Sequence, residues 1–129
     1  MKLAAKRVHS VGSAEITTFA VDGRELSVAA KGGYAAGIGR VDFVLVDLTR
    51  AAPTNVVERT DIHYPAPLPE ETSARWTSSA DLGEGVAYRV FFHVYDRSGV
   101  NLVAYDRRDF TCQANRKDDV DVEAEGGDP

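Results

Sequence analysis

The sequence predicts an all-β fold, a single antiparallel sandwich of about seven strands. In residues 88–96 the apolar side chains Tyr88, Val90, Phe92 and Val94 fall at every second position. This period of two is typical of a β-strand with one buried face. Similar segments recur roughly every 8–14 residues, separated by turn-forming residues, and none of them keeps a helical period.

The strands are predicted, in chain order, at residues 14–21, 25–31, 40–48, 55–62, 73–78, 88–96 and 101–111. Glycine, proline and aspartate mark the breaks between them. Asp22 and Gly23 predict a tight turn between the first two strands. The glycines of residues 32–39 indicate a flexible loop, and the prolines of residues 65–69 indicate an extended connection.

The chain of 129 residues has the length of one domain. We expect an N-terminal arm at residues 1–13, the sandwich at 14–112 and an acidic tail at 113–129. The tail has the composition of a solvated terminus, although it could also be an arm that docks on a neighbouring subunit.

Composition excludes several classes of function. Hydrophobic residues make up 43% of the chain and charged residues 27%, which is ordinary for a globular protein. The net charge of -5 argues against a nucleic-acid partner, and no apolar run is long enough to cross a membrane. The single cysteine, Cys112, and an N-terminus without the apolar core of a signal peptide favour synthesis in the cytoplasm.

Several packing and turn residues resemble those of the bacterial immunoglobulin-like (Big-type) domains. In that family a strand with a central Trp leads to a Leu-x-x-Gly turn, a Tyr opens the penultimate strand, and Tyr-Asp closes it. The matching residues here are Trp76, Leu82, Gly85, Tyr88, Tyr95, Asp96 and Gly99. Residues 16–23 and 41–47 look like the family's opening and central strands. The resemblance spans about residues 14–110 and implies an immunoglobulin-like sandwich, but no particular activity. We expect Trp76 and Tyr88 to be buried, with Tyr88 fixing the corner before its strand, and Cys112 to pack near the end of the last strand.

No group of residues predicts catalysis, a cofactor or a metal. The soft metal ligands His9, His63, His93 and Cys112 lack a short paired spacing. His93 is expected on the outer face of its strand. The glycines of residues 32–39 precede a strand, whereas a phosphate-binding loop opens a helix.

The acidic residues do not suggest an acid–base pair, because we expect them at turns rather than in an apolar cleft. The turn aspartates are Asp22, Asp47, Asp61, Asp96, Asp106 and Asp109. We therefore expect a protein that is not an enzyme, although turn carboxylates could hold a weakly bound calcium ion.

The alternation places four apolar side chains on the outer surface of one sheet. If Val90 and Phe43 point inward, then Phe91, Tyr95, Val44 and Val46 point outward. Outer positions of a solitary sandwich are normally polar, so these four residues predict either a partner-binding surface or a surface covered by the same chain.

These observations favour a structural or adaptor protein that binds another protein or its own copy. A subunit of a larger assembly, such as a virion or a tail-like particle, would suit a disulfide-free domain with arms at both ends. The alternative is a carbohydrate-binding accessory module, for which Tyr34, Tyr64 and Trp76 are the candidate aromatic residues.

Overall fold

Seven strands form two antiparallel sheets in residues 11–112, the part of the chain that the structure, a computed structural model, describes. The strands are β1 (Ser13–Asp22), β2 (Glu25–Gly33), β3 (Arg40–Asp47), β4 (Val56–His63), β5 (Glu71–Thr77), β6 (Ala87–Tyr95) and β7 (Leu102–Thr111). The predicted all-β sandwich is confirmed, and every strand lies within two residues of its predicted position. Arg40–Asp47 and Ala87–Tyr95 are the two central strands of the larger sheet.

One sheet has the order β1-β2-β5 and the other the order β4-β3-β6-β7. The edge strands β1 and β7 are joined by side chains. The backbone N–H of Ile16 donates to Asp106 at 2.8 Å, and Arg108 donates to the carbonyl oxygen of Ile16 at 3.0 Å. These bonds satisfy backbone groups on the free edge of β1, where a β-bulge also lies.

Three aspartates predicted at turns lie inside strands instead. Asp61 belongs to β4, and both Asp106 and Asp109 belong to β7. Arginine accounts for two of these placements, since Asp61 forms ion pairs with Arg40 and Arg59 and Asp109 forms one with Arg89. Asp106 accepts the bond from β1 described above.

The core lies between the inward faces of the two sheets and is predominantly apolar. Trp76 is 8% exposed and stacks on Phe43, with ring centroids 5.6 Å apart. Tyr88 is also buried, and its hydroxyl accepts a 2.6 Å hydrogen bond from the N–H of Gly83. The sequence prediction that both aromatic residues are buried, with Tyr88 fixing the turn before its strand, is confirmed.

The glycine-rich loop is shorter than predicted, because β2 continues through Gly32 and Gly33. The rest of the loop is hydrogen-bonded to the proline-rich connection: Tyr34 N–H donates to Glu70 O and Ile38 N–H donates to Pro69 O, both at 2.8 Å. The two segments therefore support one another at one end of the sandwich.

Cys112 is buried directly after β7, in agreement with the sequence prediction, and burial raises the pKa of its thiol. Residues 1–10 of the predicted arm, which include His9, and the whole of the predicted tail lie outside the described residues. Over residues 11–112 we find no helix with the length and apolar content of a membrane span. The same range holds no cluster of three metal-ligating side chains.

Replacing Trp76 by alanine is expected to lower the free energy of unfolding by roughly 3–5 kcal/mol, because a large aromatic side chain leaves a cavity in the core. Arg75→Ala is the control: Arg75 is the exposed neighbour of Trp76 on the same strand. We expect it to change stability by less than about 0.5 kcal/mol. Urea unfolding followed by circular dichroism measures both, and equal losses of stability would contradict the packing described here.

Candidate functional site

The outer face of the four-stranded sheet has an unusual side-chain composition. Strand pairing places these residues on it: Arg40, Asp42, Val44, Val46, Val56, Arg59, Asp61, His63, Arg89, Phe91, His93, Tyr95, Leu102, Tyr105, Arg107 and Asp109. We call this set the outer face. It combines aromatic rings with four arginines and three aspartates, whereas solvated outer faces of antiparallel sheets are usually simply polar.

The four residues predicted to form an apolar surface patch all belong to the outer face, but they are less exposed than expected. Val46 is only 7% exposed, so its predicted exposure is wrong. A β-bulge shifts the pairing at this point, so that Leu45 faces Glu58 and Val46 faces Val56. This burial has two causes. One is the extra residue of the neighbouring strand, and the other is the long side chain of Arg89, which is paired with Val46 on the other side.

Val44, Phe91 and Tyr95 are half-buried rather than free. The most exposed aromatic side chain of the outer face is Tyr105, which is 56% exposed and pairs with His93 across β6 and β7. Leu102, paired with Tyr95, extends the apolar area toward the same edge. Val56, paired with Val46, is likewise exposed, so the exposed apolar groups lie on the edge strands β4 and β7 and not on the central strands where the sequence predicted them.

Asp42 is the structural centre of the outer face. It is 0% exposed, although its strand position directs it away from the hydrophobic core. Its carboxylate accepts hydrogen bonds from His93 Nδ1 at 2.6 Å, Arg40 Nη1 at 3.2 Å and Arg59 Nη2 at 3.3 Å. A buried charge is tolerated only when it is paired and hydrogen-bonded, and here both conditions are met.

Asp61 closes the network on the β4 side. It accepts from Arg40 Nη1 and from Arg59 Nε, both at 3.2 Å. The hydrogen bond from Arg59 to Asp61 is the main reason that the pKa of Arg59 is raised. Two arginines and two aspartates thus neutralise each other before any partner is present.

Tyr95 covers one side of the network. The guanidinium of Arg40 lies over its ring, 3.8 Å from the centroid. Burial raises the pKa of the Tyr95 phenol, and the nearby Asp42 carboxylate raises it further while accepting a hydrogen bond from it. The phenol therefore stays neutral and donates its hydrogen bond to Asp42.

The rings of Phe91 and His93 are stacked, with centroids 5.2 Å apart and planes 12° apart. At this separation the rings overlap face to face with an offset, since side-by-side rings would be farther apart. The other side of His93 meets Tyr95, with centroids 6.0 Å apart. Ring faces are therefore largely used within the protein, and the outer face presents ring edges and one exposed tyrosine.

The aromatic residues that the sequence suggested for sugar binding do not form an exposed platform. Trp76 is in the core, so its proposed role there is contradicted. Tyr34 and Tyr64 are half-buried against the core, and the Tyr64 hydroxyl is hydrogen-bonded to Thr72. The alternation explains the error for Trp76, because Ala74 and Trp76 share the inward face of β5.

The other sheet provides an internal comparison. The outward residues of its strands β2 and β5 are small or polar, among them Ser27, Ala29, Lys31 and Ser73, and none is aromatic. At one end of this sheet an open groove is lined by Ser13, Glu15, Lys31, Gly33, Glu71 and Ser73, with the backbone between them. This face has the composition of an ordinary solvated surface, which the outer face does not.

Asp42 was not among the predicted site residues, although the sequence contains a signal for it. The alternation that turns Val41 and Phe43 inward necessarily turns Asp42 outward, onto the same face as His93. What the sequence did not contain was the strand pairing that places these two residues, 51 positions apart, directly opposite one another. The expectation that His93 lies on the outer face of its strand is confirmed.

Comparison with protein-family models gives no match, and comparison with curated protein sequences gives none either. Among solved structures, OgpA from Akkermansia muciniphila is similar to this chain with a TM-score of 0.56 and 8% identity. The match covers 82% of this chain and 28% of OgpA.

The β-glucosidase from Kluyveromyces marxianus, solved in complex with glucose, is similar with a TM-score of 0.52 and 12% identity. That match covers 81% of this chain and 14% of the enzyme. This chain therefore spans less than a third of either of these two proteins. At these identities the similarity shows the sandwich fold alone.

Asp42→Ala is expected to lower the free energy of unfolding by roughly 3 kcal/mol, because it leaves the buried ends of Arg40 and His93 without their acceptor. Asp61→Ala is the matched control, since Asp61 is more exposed and its removal should cost less than about 1 kcal/mol. Urea unfolding at pH 7.5 measures both. A loss for Asp42→Ala no greater than that for Asp61→Ala would contradict the central role of Asp42.

Proposed function

We propose that this protein is a non-catalytic structural or adaptor module and that its outer face binds a second copy of the same chain. The observation that carries the proposal is the internally neutralised network around Asp42, surrounded by aromatic edges. Such a surface can be covered while Arg40, Arg59 and Arg89 keep their carboxylate partners. The arginine, tyrosine and phenylalanine side chains that it presents are those enriched in protein interfaces.

Charge supports a second copy as the occupant. The chain as a whole has a net charge of -5, which makes most encounters between copies repulsive. On the outer face, four arginines and three aspartates leave a net charge of only +1. Two outer faces can therefore approach one another without the repulsion that acts between other parts of the chain.

Area indicates how strong this association is. Strands spaced by about 4.8 Å and rising about 3.4 Å per residue give a four-stranded face of roughly 500 Å². Two such faces bury about 1,000 Å² in total, which is at the low end for specific interfaces. We therefore expect reversible association at high protein concentration rather than an obligate dimer.

Ring orientation favours a protein over a sugar at this face. Stacking with a sugar uses the open face of an aromatic ring. Phe91, His93 and Tyr95 are in contact with one another or with Arg40, so Tyr105 is the one largely exposed ring of the outer face. The role in a virion or tail-like particle stays a prediction from the sequence, since neither of the similar structures described above is such a component.

A carbohydrate-binding accessory role is the second candidate, and the groove on the other sheet is the site that would serve it. Its carboxylates, hydroxyls and Lys31 offer the hydrogen-bonding groups that sugars use. The similar structures include an enzyme bound to glucose, and an inactive OgpA bound to an O-glycopeptide substrate. Binding of glucose or an O-glycopeptide that is weakened by Glu15→Ala would favour this candidate.

The double variant Phe91→Asp, Tyr105→Asp is expected to abolish self-association, because it adds two negative charges to the outer face. Tyr95 is left intact because its hydroxyl and ring support the Asp42 network. Multi-angle light scattering behind a sizing column, over a range of concentrations at pH 7.5, should show the mass of the parent rising while the variant stays monomeric.

The control is Ser73→Asp, Thr77→Asp, which adds the same charge to exposed positions of the other sheet. It should associate like the parent, and circular dichroism should show that all three proteins are folded. If the parent is monomeric throughout, or if the control loses association while the outer-face variant keeps it, the outer face is not the site of association.

A further inference from the structure

His93 occupies the middle of the outer face, and its contact with Asp42 determines which ring nitrogen carries the proton. A carboxylate can only accept hydrogen bonds, so the 2.6 Å contact with Asp42 requires a proton on His93 Nδ1. The second ring nitrogen, Nε2, is then a hydrogen-bond acceptor in the neutral ring and a donor in the protonated ring. The side chain remains 20% exposed, so it can exchange this proton with water.

The groups around His93 already carry an excess of positive charge when the ring is neutral. Asp42 faces the ring from β3, where Arg40 is bonded to it, and Arg59 reaches Asp42 from β4, where it also pairs with Asp61. The rings of Tyr95 and Tyr105 flank His93 from β6 and β7, and Arg107 lies beside Tyr105, paired with Phe91. Arg40 and Arg59 balance Asp42 and Asp61, so protonation of His93 adds a second positive charge to that of Arg107.

We propose that the Asp42–His93 pair makes association through the outer face dependent on pH, with binding when His93 is neutral and dissociation when it is protonated. This inference rests on the proposed function. In the free protein, water solvates the protonated ring at Nε2. A second copy that covers the ring removes this water and brings its own protonated His93 into the same interface, which disfavours the complex.

The sign of the effect follows from proton linkage. Because the complex disfavours the protonated ring, it binds fewer protons than the separate chains, and association must weaken as pH falls. Histidine is the side chain type that changes charge between pH 5 and 8. For each protonated ring that must lose its proton on binding, the association constant should fall about tenfold per pH unit below the titration of the ring.

The test compares three full-length proteins by light scattering behind a sizing column at pH 7.5 and pH 5.5. The parent should associate at pH 7.5 and dissociate at pH 5.5. His93→Asn should associate similarly at both values, because its amide can still donate to Asp42 but does not titrate. His63→Asn is the control, since His63 is an exposed histidine at the rim of the same face, and it should behave like the parent.

Each other outcome has a definite meaning. Association of the parent that is equal at both pH values, or stronger at pH 5.5, overturns the inference and leaves the proposed function intact. The inference is also overturned if His93→Asn keeps the pH dependence or if His63→Asn loses it. Absence of association at both values overturns the proposed function and this inference with it.

A second measurement does not depend on the variants folding. Long-range proton–nitrogen correlation spectra of the parent at pH 7.5 should show a proton on His93 Nδ1 and none on Nε2. A ring protonated at Nε2 alone at pH 7.5 would overturn the inference, because the outer face would then present a donor at neutral pH.

Discussion

The buried carboxylate of Asp42 is the interaction on which the organisation of the outer face depends. A charged group removed from water must find partners, and Asp42 finds them in Arg40, Arg59, His93 and Tyr95. Each of these side chains is long or bulky and would otherwise sample several rotamers over the sheet. Their common acceptor holds them in one arrangement, so the surface is ordered before a partner arrives.

This arrangement separates the stability of the fold from the chemistry of the surface. The hydrophobic core between the sheets, built around Phe43, Phe92 and Trp76, accounts for the sandwich without help from the outer face. A buried ion pair adds little to stability compared with apolar residues of the same size, because desolvation offsets the attraction. The physical benefit that remains is a preorganised surface, which lowers the entropy lost on binding.

The sequence was sufficient for the strands because apolar alternation is a local property. It located all seven, and it placed Trp76 and Tyr88 in the core. It was insufficient wherever the outcome depended on pairing between distant strands. The burial of Val46 accompanies a bulge in β4, and the Asp42–His93 contact joins residues that only the sheet brings together. The outer location of Val44, Phe91 and Tyr95 was predictable, whereas their partial cover by charged neighbours was not.

The most direct test of the account is to map the surface on which copies of the chain meet. Amide chemical shifts of the 15N-labelled protein at pH 7.5 can be followed as its concentration is raised from micromolar to millimolar. The account predicts that the shifts that move belong to β3, β6 and β7, with the largest changes near Phe91, His93 and Tyr105. Changes centred instead on the other sheet, at Lys31 and Ser73, or an absence of change at any concentration, would contradict it.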